Sequence, residues 1–265
     1  MNKTNVYFVF PVFNESLNIP RVLEDLPRLK EIVSSVSSRT QFLFIDDGST
    51  DDTVTQLRNA GYPDLHIISH PHNQGPGAAF QTAFSYLLAN QLATDDLVIT
   101  LEGDATSDPT YLKRMLHRTI EGDDIVLASP YLYGGGFSGV KAHRVFISHV
   151  ANFLFKLILN THGLATISCF FRIYRGKALL DLNARYPNAI VTSKGFDCAA
   201  EIILKAVRNK LSISEVPFKV DWSRRKGQPK MKIIKTTFAY FKLFFKFSSS
   251  KRDITLHENI DHPRS

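Results

Sequence analysis

Cysteine is scarce in this chain: two in 265 residues, Cys169 and Cys198, far apart and without metal-ligand or redox spacing. A disulfide framework and a zinc ribbon therefore both lack support, and a reducing, cytoplasmic setting is expected. No stretch approaches the roughly 18 uninterrupted apolar residues that cross a bilayer. The opening "MNKTNVYFVFPVF" carries one Lys and a short apolar run without a small-residue cleavage site, so it reads as a first strand and not a signal peptide. The dinucleotide fingerprint is also missing. "GPGAAF" offers Gly75 and Gly77 but Phe80 where a third glycine belongs, which argues against a nicotinamide or flavin enzyme. No internal repeat is evident.

What is present is an ordinary globular composition, 44% hydrophobic, enough for a full core. The formal charge of +7 permits an anionic partner such as nucleotide phosphates or anionic lipid. Much of the excess sits late, in "WSRRKGQPKMKIIK" and "YFKLFFKFSSSKR", a distribution that favours a surface contact over a nucleic-acid binder.

Continuous apolar runs recur at 6–10, 42–45, 65–68, 97–101 and 125–128, each followed by a polar or glycine-rich turn. Runs without alternation suit strands covered on both faces, as in a parallel sheet. Helical patterns lie between them, over 17–33, after "STDD" and from Asp108-Pro109 onward. The alternation predicts a doubly wound α/β sheet with helices on both faces. Ligands of such sheets bind beyond the carboxyl ends of the strands. The residues to read are therefore Asn14 and Glu15, Asp46 and Asp47, 73–77, and Glu102 and Asp104.

In "VITLEGDATSDP" two acids stand one residue apart after a strand. Both can turn toward one Mg²⁺ or Mn²⁺, which takes oxygen ligands and shares them with substrate phosphates. The plainer alternative is a turn in which Asp104 or Asp108 caps the next helix. "FLFIDDGSTDDT" offers the same choice: a carboxylate for a nucleotide base or ribose, or a cap assisted by Ser49. His70, His72 and His149 are read as surface or packed side chains. Sharing of a cation by positions 102 and 104 is the pivotal expectation: oxygens turned away from any common cavity, or filled by a permanent cation such as a neighbouring Arg, would remove the transferase expectation with it.

Taken together, "FPVFNES", "IDDGSTDD", "HNQGPGAA" and "LEGDATSDP" resemble, in order and spacing, family 2 glycosyltransferases of the GT-A fold. "GGGFSGVKAHRVFISHVANFL", "SCFFRIYRGKAL", "KGFDCAAEIILKAVRNKLSISEVPF" and "RRKGQPKM" look like the dolichyl-phosphate mannosyltransferase-like branch, over about residues 5–245. That branch moves a sugar from a nucleotide sugar to a polyprenyl phosphate. The resemblance implies that Pro11, Phe13 and Glu15 border the nucleoside, with Glu15 on the ribose and Asp47 on the base. Gly77 joins them on the donor side. Glu102 and Asp104 match the metal and diphosphate motif. Arg224 and Lys230 match a loop that closes on the donor phosphates, with Asp104 in the catalytic set. Arg144 and Ser148 match a pair that holds the acceptor phosphate. Departures fall on the acceptor side: Pro130, Thr166, Phe170 and Pro229 replace the branch's usual residues, while Glu102 and Thr106 alter the metal motif.

The resemblance implies a catalytic domain over 1–222, a basic loop and amphipathic helix over 223–250, and a flexible tail over 251–265. At about 100° per residue, Lys232, Lys235, Lys242 and Lys246 share one helical face, opposite Ile234, Phe238, Phe241 and Phe245. Such a helix suits a membrane interface or packing on its own domain. The apolar segment 145–159 is either buried or pressed on lipid. Expected overall is an inverting, single-addition hexosyltransferase, peripheral on the cytoplasmic membrane face, using Mg²⁺ or Mn²⁺ and a GDP- or UDP-linked sugar. A soluble transferase for a glycan or protein acceptor, and a non-catalytic nucleotide-sugar-binding scaffold, are the competing expectations.

Overall fold

A computed structural model describes residues 4–139, 152, 163–227, 239, 242, 243 and 247. Five strands follow the five apolar runs: β1 (Thr4–Val12), β2 (Ser37–Asp46), β3 (Leu65–Ser69), β4 (Leu97–Thr100) and β5 (Ile125–Ser129). Four helices alternate with them: α1 (Ile19–Val33), α2 (Thr53–Asn59), α3 (Pro76–Ala89) and α4 (Leu112–Ile120). Then come β6 (Gly136–Ser138), β7 (Arg172–Arg175), α5 (Gly176–Arg185), α6 (Cys198–Arg208), β8 (Ile213–Pro217) and β9 (Lys219–Asp221).

The main sheet has seven strands in the order β3-β2-β1-β4-β7-β5-β8. All its pairings are parallel except those of β7, which runs antiparallel between β4 and β5. A small parallel pair, β6 with β9, stands apart. The expected GT-A-like, mostly parallel sheet is thus present, with an inserted antiparallel strand that "RIYR" did not announce by length or punctuation.

Burial explains why the strands read as continuous apolar runs. Along β1, Val6, Phe8, Phe10 and Val12 enter a core cluster shared with α1 and α4, while Val9 enters another built on α3, α5 and α6. Phe8 stacks on Phe42 at 5.4 Å and Phe10 on Phe44 at 4.7 Å, across the β1–β2 pairing. Burying such aromatic pairs fixes strand register as well as adding apolar area.

The order of strands reverses beside β1: β2 lies on one side and β4 on the other. Connections to successive strands therefore leave in opposite directions, and a crevice opens beyond their carboxyl ends. Gly103 makes that crevice tight. A Cβ there would lie 2.6 Å from the Pro11 carbonyl oxygen and from Val12 Cγ1, so only glycine lets the loop after β4 press on the end of β1.

Part of the C-terminal region packs on this domain. Leu243 and Phe247 are buried in the α3/α5/α6 core, and the Arg208 guanidinium lies 4.4 Å from the Phe247 ring centroid. Lys232, Lys235 and Lys246, the opposing Ile234, Phe238, Phe241 and Phe245, and most of 145–159 lie outside the described residues.

Candidate active site

A cleft of about 1330 Å³ opens at the carboxyl ends of β1, β2 and β4. Pro11, Phe13, Glu15, Asp47, Glu102 and Asp104 line it, so six expected donor-side residues from three separate segments converge there. Phe170, Phe196 and Trp222 add aromatic walls.

The two acids after β4 have different surroundings. Glu102 accepts from the Ser107 hydroxyl and from the Phe170 amide at 3.2 Å. Burial first, then the nearby Asp104 charge, push the Glu102 carboxyl above its usual range. Asp104 keeps one oxygen for its own turn, accepting from the Thr106 hydroxyl at 2.6 Å and the Thr106 amide at 3.2 Å. Its other oxygen meets Arg225 Nη1 at 2.6 Å. Ala105 between them holds a left-handed backbone, φ +62°, a strained conformation for a residue with a Cβ. Asp108 caps the short turn that follows, accepting from the Thr110 amide at 2.9 Å.

The Arg on Asp104 corrects the expectation in two ways. Arg224 does not face the cleft: it ion-pairs with Asp25 at 2.7 Å and donates to the Ala105 carbonyl at 2.9 Å, bracing the strained turn from behind. Its neighbour Arg225 lines the cleft, bridging Asp104 and, at 3.5 Å, Glu15. Arg224 ends a short 3₁₀ turn, Trp222–Arg224, and Arg225 follows it with an extended backbone, so the two side chains leave in different directions; spacing alone did not reveal which of the two arginines turns inward. A guanidinium also already sits on one of the oxygens expected to share a metal.

Other residues take supporting roles. Asp47 accepts from the Gln74 amide at 2.9 Å and the Gly75 amide at 2.7 Å, and pairs with His70 Nδ1 at 2.8 Å, so its carboxylate pins the loop before α3. Gly77 is not on the cleft wall. A Cβ there would lie 1.7 Å from the Ser193 carbonyl oxygen, so its glycine serves the close packing of α3 on the segment before α6. Asn18 accepts from the Lys226 amide at 2.7 Å and donates to the Lys226 carbonyl at 3.1 Å, fastening 225–226 over the start of α1. Arg144, Ser148 and Lys230 lie outside the described residues.

Sequence reasoning passed over Asp197 and Lys194. Asp197, 7% exposed, lines the cleft at the start of α6, and its carboxylate forms no hydrogen bond or ion pair among the described residues. The segment carrying both is held by a buried ion pair. Glu201 accepts from the Thr192 amide at 2.9 Å, the Ser193 amide at 2.7 Å and Lys205 Nζ at 2.7 Å. Lys205 in turn donates to the carbonyls of Ala189 and Ile190 at 2.6 and 3.0 Å. Burial alone would raise the Glu201 pKa, but its hydrogen bonds, led by Lys205 and Thr192, hold it down at about 2. The only sequence signal was an i,i+4 Glu–Lys spacing on an apolar helix.

The model of the family described as "Glycosyl transferase family 2" matches residues 7–182. The chain is a family 2 glycosyltransferase. Polyprenol monophosphomannose synthase of Mycolicibacterium smegmatis is 27% identical to this glycosyltransferase over 214 residues, covering 79% of the chain and 74% of that protein. Undecaprenyl-phosphate 4-deoxy-4-formamido-L-arabinose transferase of Klebsiella pneumoniae is 28% identical over 175 residues, 64% of the chain and 48% of that protein. Among solved structures, glucosyl-3-phosphoglycerate synthase from Mycobacterium tuberculosis, in complex with phosphoglyceric acid, matches with a TM-score of 0.62 at 16% identity, covering 94% of this chain and 80% of that one. A structure of the same enzyme with Mn²⁺, UDP and glucosyl-3-phosphoglycerate gives 0.60 at 16% identity, covering 90% and 76%. These structures share the glycosyltransferase's fold. Arg225, Lys194 and Asp197 all lie beyond the residues that the family model matches.

Proposed function

We propose that this glycosyltransferase moves a single sugar from a nucleotide diphosphate sugar to a polyprenyl phosphate at a membrane surface, with inversion at the anomeric carbon. The observation that carries the reading is the convergence of Glu15, Asp47, Glu102 and Asp104 on one aromatic-walled cleft beyond the strand ends; the Arg225 guanidinium on one Asp104 oxygen has to yield before that oxygen meets a metal. The two curated relatives, both named for transfer to polyprenyl carriers, support the acceptor class.

Electrostatics favour a divalent metal with the donor. Among the described residues, five acids line the cleft (Glu15, Asp47, Glu102, Asp104, Asp197) against three bases (Lys194, Arg225, Lys242). A diphosphate brought into that setting adds negative charge that only further positive charge offsets. Among the described residues no group of three or more His, Cys, Asp or Glu side chains gathers as a complete metal cage. That fits Mg²⁺ or Mn²⁺, which bind through one or two carboxylates and complete their shell with substrate phosphate and water. Asp104 would be the principal protein ligand, with Glu102 behind it. When bound, the ion supplies Lewis-acid stabilisation of the departing diphosphate.

The chain's own groups do the rest. Arg225 exchanges its Asp104 partner for the leaving diphosphate, placing a fixed positive charge where negative charge develops. Pro11, Phe13 and Trp222 wall the nucleoside, and Glu15 offers its carboxylate to the ribose. Asp47 keeps the loop before α3 in position. An acceptor phosphate is ionised near neutral pH and attacks without a strong base. Arg144, Ser148 and Lys230 are assigned to the acceptor and donor phosphates on the resemblance. Residues 1–222 form the catalytic domain and 223–250 the loop and helix that carry it to the cytoplasmic face.

One observation favours a second reading, a soluble transferase acting on a hydroxyl acceptor. Asp197 is a largely buried carboxylate in the cleft with no partner among the described residues, the disposition a general base needs. Asp197→Asn separates the two: it abolishes transfer to a hydroxyl but leaves transfer to a phosphate within a few-fold. The donor is identified by thermal shift with a panel of nucleotide sugars and Mn²⁺, since a ligand of the folded state raises Tm. One nucleotide family raises Tm only with metal present. No shift across the panel contradicts the proposal and favours a scaffold.

A further inference from the structure

Each of the four carboxylate oxygens of Glu102 and Asp104 already accepts from the chain itself. On three of them the donors are hydroxyls and backbone amides: Ser107 and Phe170 on Glu102, and Thr106 on Asp104 Oδ1. The fourth, Asp104 Oδ2, is held by Arg225 Nη1 at 2.6 Å. Among the described residues, this is the one oxygen of the four whose donor is a charged group on a long, rotatable side chain. The same guanidinium reaches Glu15 through Nη2 at 3.5 Å and lies 5.9 Å from the centroid of the Trp222 ring. One side chain thus spans the acid assigned to the metal and the acid assigned to the ribose.

Arg225 in this position opposes a divalent ion that arrives alone. The Arg225 and Asp104 side chains are only 9% and 14% exposed, so their charge-assisted contact is poorly screened. A displaced guanidinium would be left beside a dication or give up Glu15 as well. A nucleoside diphosphate changes the balance, because its oxygens offer the guanidinium a bidentate partner while Asp104 turns to the ion. Every charge then ends opposite an unlike one. The backbone beneath is fastened: Asn18 accepts from the Lys226 amide at 2.7 Å and donates to the Lys226 carbonyl at 3.1 Å, while Arg224 is kept facing away by Asp25 at 2.7 Å. The exchange is therefore a rotation of the Arg225 side chain about an anchored Cα.

We propose that Arg225 is an exchangeable plug of the metal position. In the donor-free protein it occupies Asp104 and keeps divalent cations out, and a nucleoside diphosphate opens the position by drawing the guanidinium onto its phosphates. This rests on the donor reading proposed above and adds an order to it: ion and diphosphate bind as a unit, each raising the other's affinity by the same factor. A nucleoside without phosphates does not open the position. The guanidinium is thereby an occupant that leaves, not the permanent one that would exclude a transferase.

The test uses the full chain and Mn²⁺ alone, with the bound ion followed by electron paramagnetic resonance and Tm measured on the same samples. Both measurements are then repeated with UDP, GDP, uridine and guanosine. Arg225→Gln is expected to bind Mn²⁺ alone about tenfold or more tightly than wild type, and Mn²⁺ should raise the Tm of the variant but not that of wild type. UDP or GDP should raise the Mn²⁺ affinity of wild type about tenfold or more and that of Arg225→Gln much less, and the nucleosides should change neither. Asn18→Ala, which unfastens the backbone with Arg225 intact, should give a smaller gain in the same direction and keeps the test open if Arg225→Gln does not fold. Adding Asp104→Ala to Arg225→Gln should remove the gain. Equal Mn²⁺ affinity of wild type and both variants overturns the plug, as does a gain that survives loss of Asp104, which would put the ion elsewhere. If a diphosphate binds wild type with Mn²⁺ and neither variant gains, the donor reading survives without the plug. If Arg225→Gln gains but neither diphosphate binds wild type with Mn²⁺, the donor reading fails and Arg225 is a permanent occupant.

Discussion

At the scale of single residues, the two adjacent arginines behave as opposites. Arg225 faces Asp104 and Arg224 faces Asp25, whose carboxyl is pushed upward by burial despite the Arg224 charge. Arg225→Gln is expected to weaken donor binding about tenfold or more, because it removes a charge from the cleft, and to lower Tm as well, because it strands the largely buried Asp104 and Glu15 carboxylates. Arg224→Gln is expected to lower Tm first, because it strands a half-buried carboxylate and frees the Ala105 turn. Calorimetry with the donor and thermal melts of the same samples check both. Asp104→Ala should reduce kcat at least about a hundredfold with the melting profile intact. The motif "LEGDATSDP" made the acids legible in sequence, but the inward arginine was hidden. Its direction depends on how Asn18 fastens Lys226, a contact 208 residues apart. Asp197 was illegible for a related reason: a carboxylate at the start of a helix looks like a cap until the structure leaves it without a capping hydrogen bond.

At the scale of elements, close approaches do the positioning. Gly103→Ala puts a Cβ 2.6 Å from the Pro11 carbonyl oxygen, so β1 and the loop after β4 must separate. A loss of about 1–3 kcal/mol is expected, as in other overpacked sites, with weaker donor binding measured on the folded variant. The Glu201–Lys205 pair gives an acid-dependent element. The Glu201 pKa in the fold is about 2, against roughly 4.3 for a free side chain. Its stabilising contribution is thus complete above the unfolded value and fades as pH falls toward the folded one. Tm of the wild type should fall on acidification from pH 5 to 2.5, and Glu201→Gln should flatten that slope while lowering Tm at neutral pH, where buried Lys205 loses its partner. The five strands and four helices up to α4 could be read from apolar runs and turn residues. Strand β7 could not. Four residues that pair antiparallel with β4 and β5 carry no local signature, because their placement is decided by the crevice between two parallel units.

For the whole molecule, the C-terminal segment matters as a wall of the catalytic cleft. Phe247→Ala should cost about 3 kcal/mol through its buried ring, and thermal melts would register this without a membrane. No helix among the described residues is long and apolar enough to cross a bilayer. Family membership follows from residues 7–182, while the groups argued to distinguish donor from acceptor lie after them.

The most direct measurement is sugar transfer itself. The chain is incubated with Mn²⁺, the labelled nucleotide sugar that raises its Tm, and a short isoprenyl phosphate, beside Asp104→Ala. A sugar-phosphate-isoprenoid product, inverted at the anomeric carbon, is expected to form only with metal and only with Asp104 present. Transfer that persists at full rate in Asp104→Ala, or that reaches hydroxyl acceptors and never the phosphate, would contradict the proposed function.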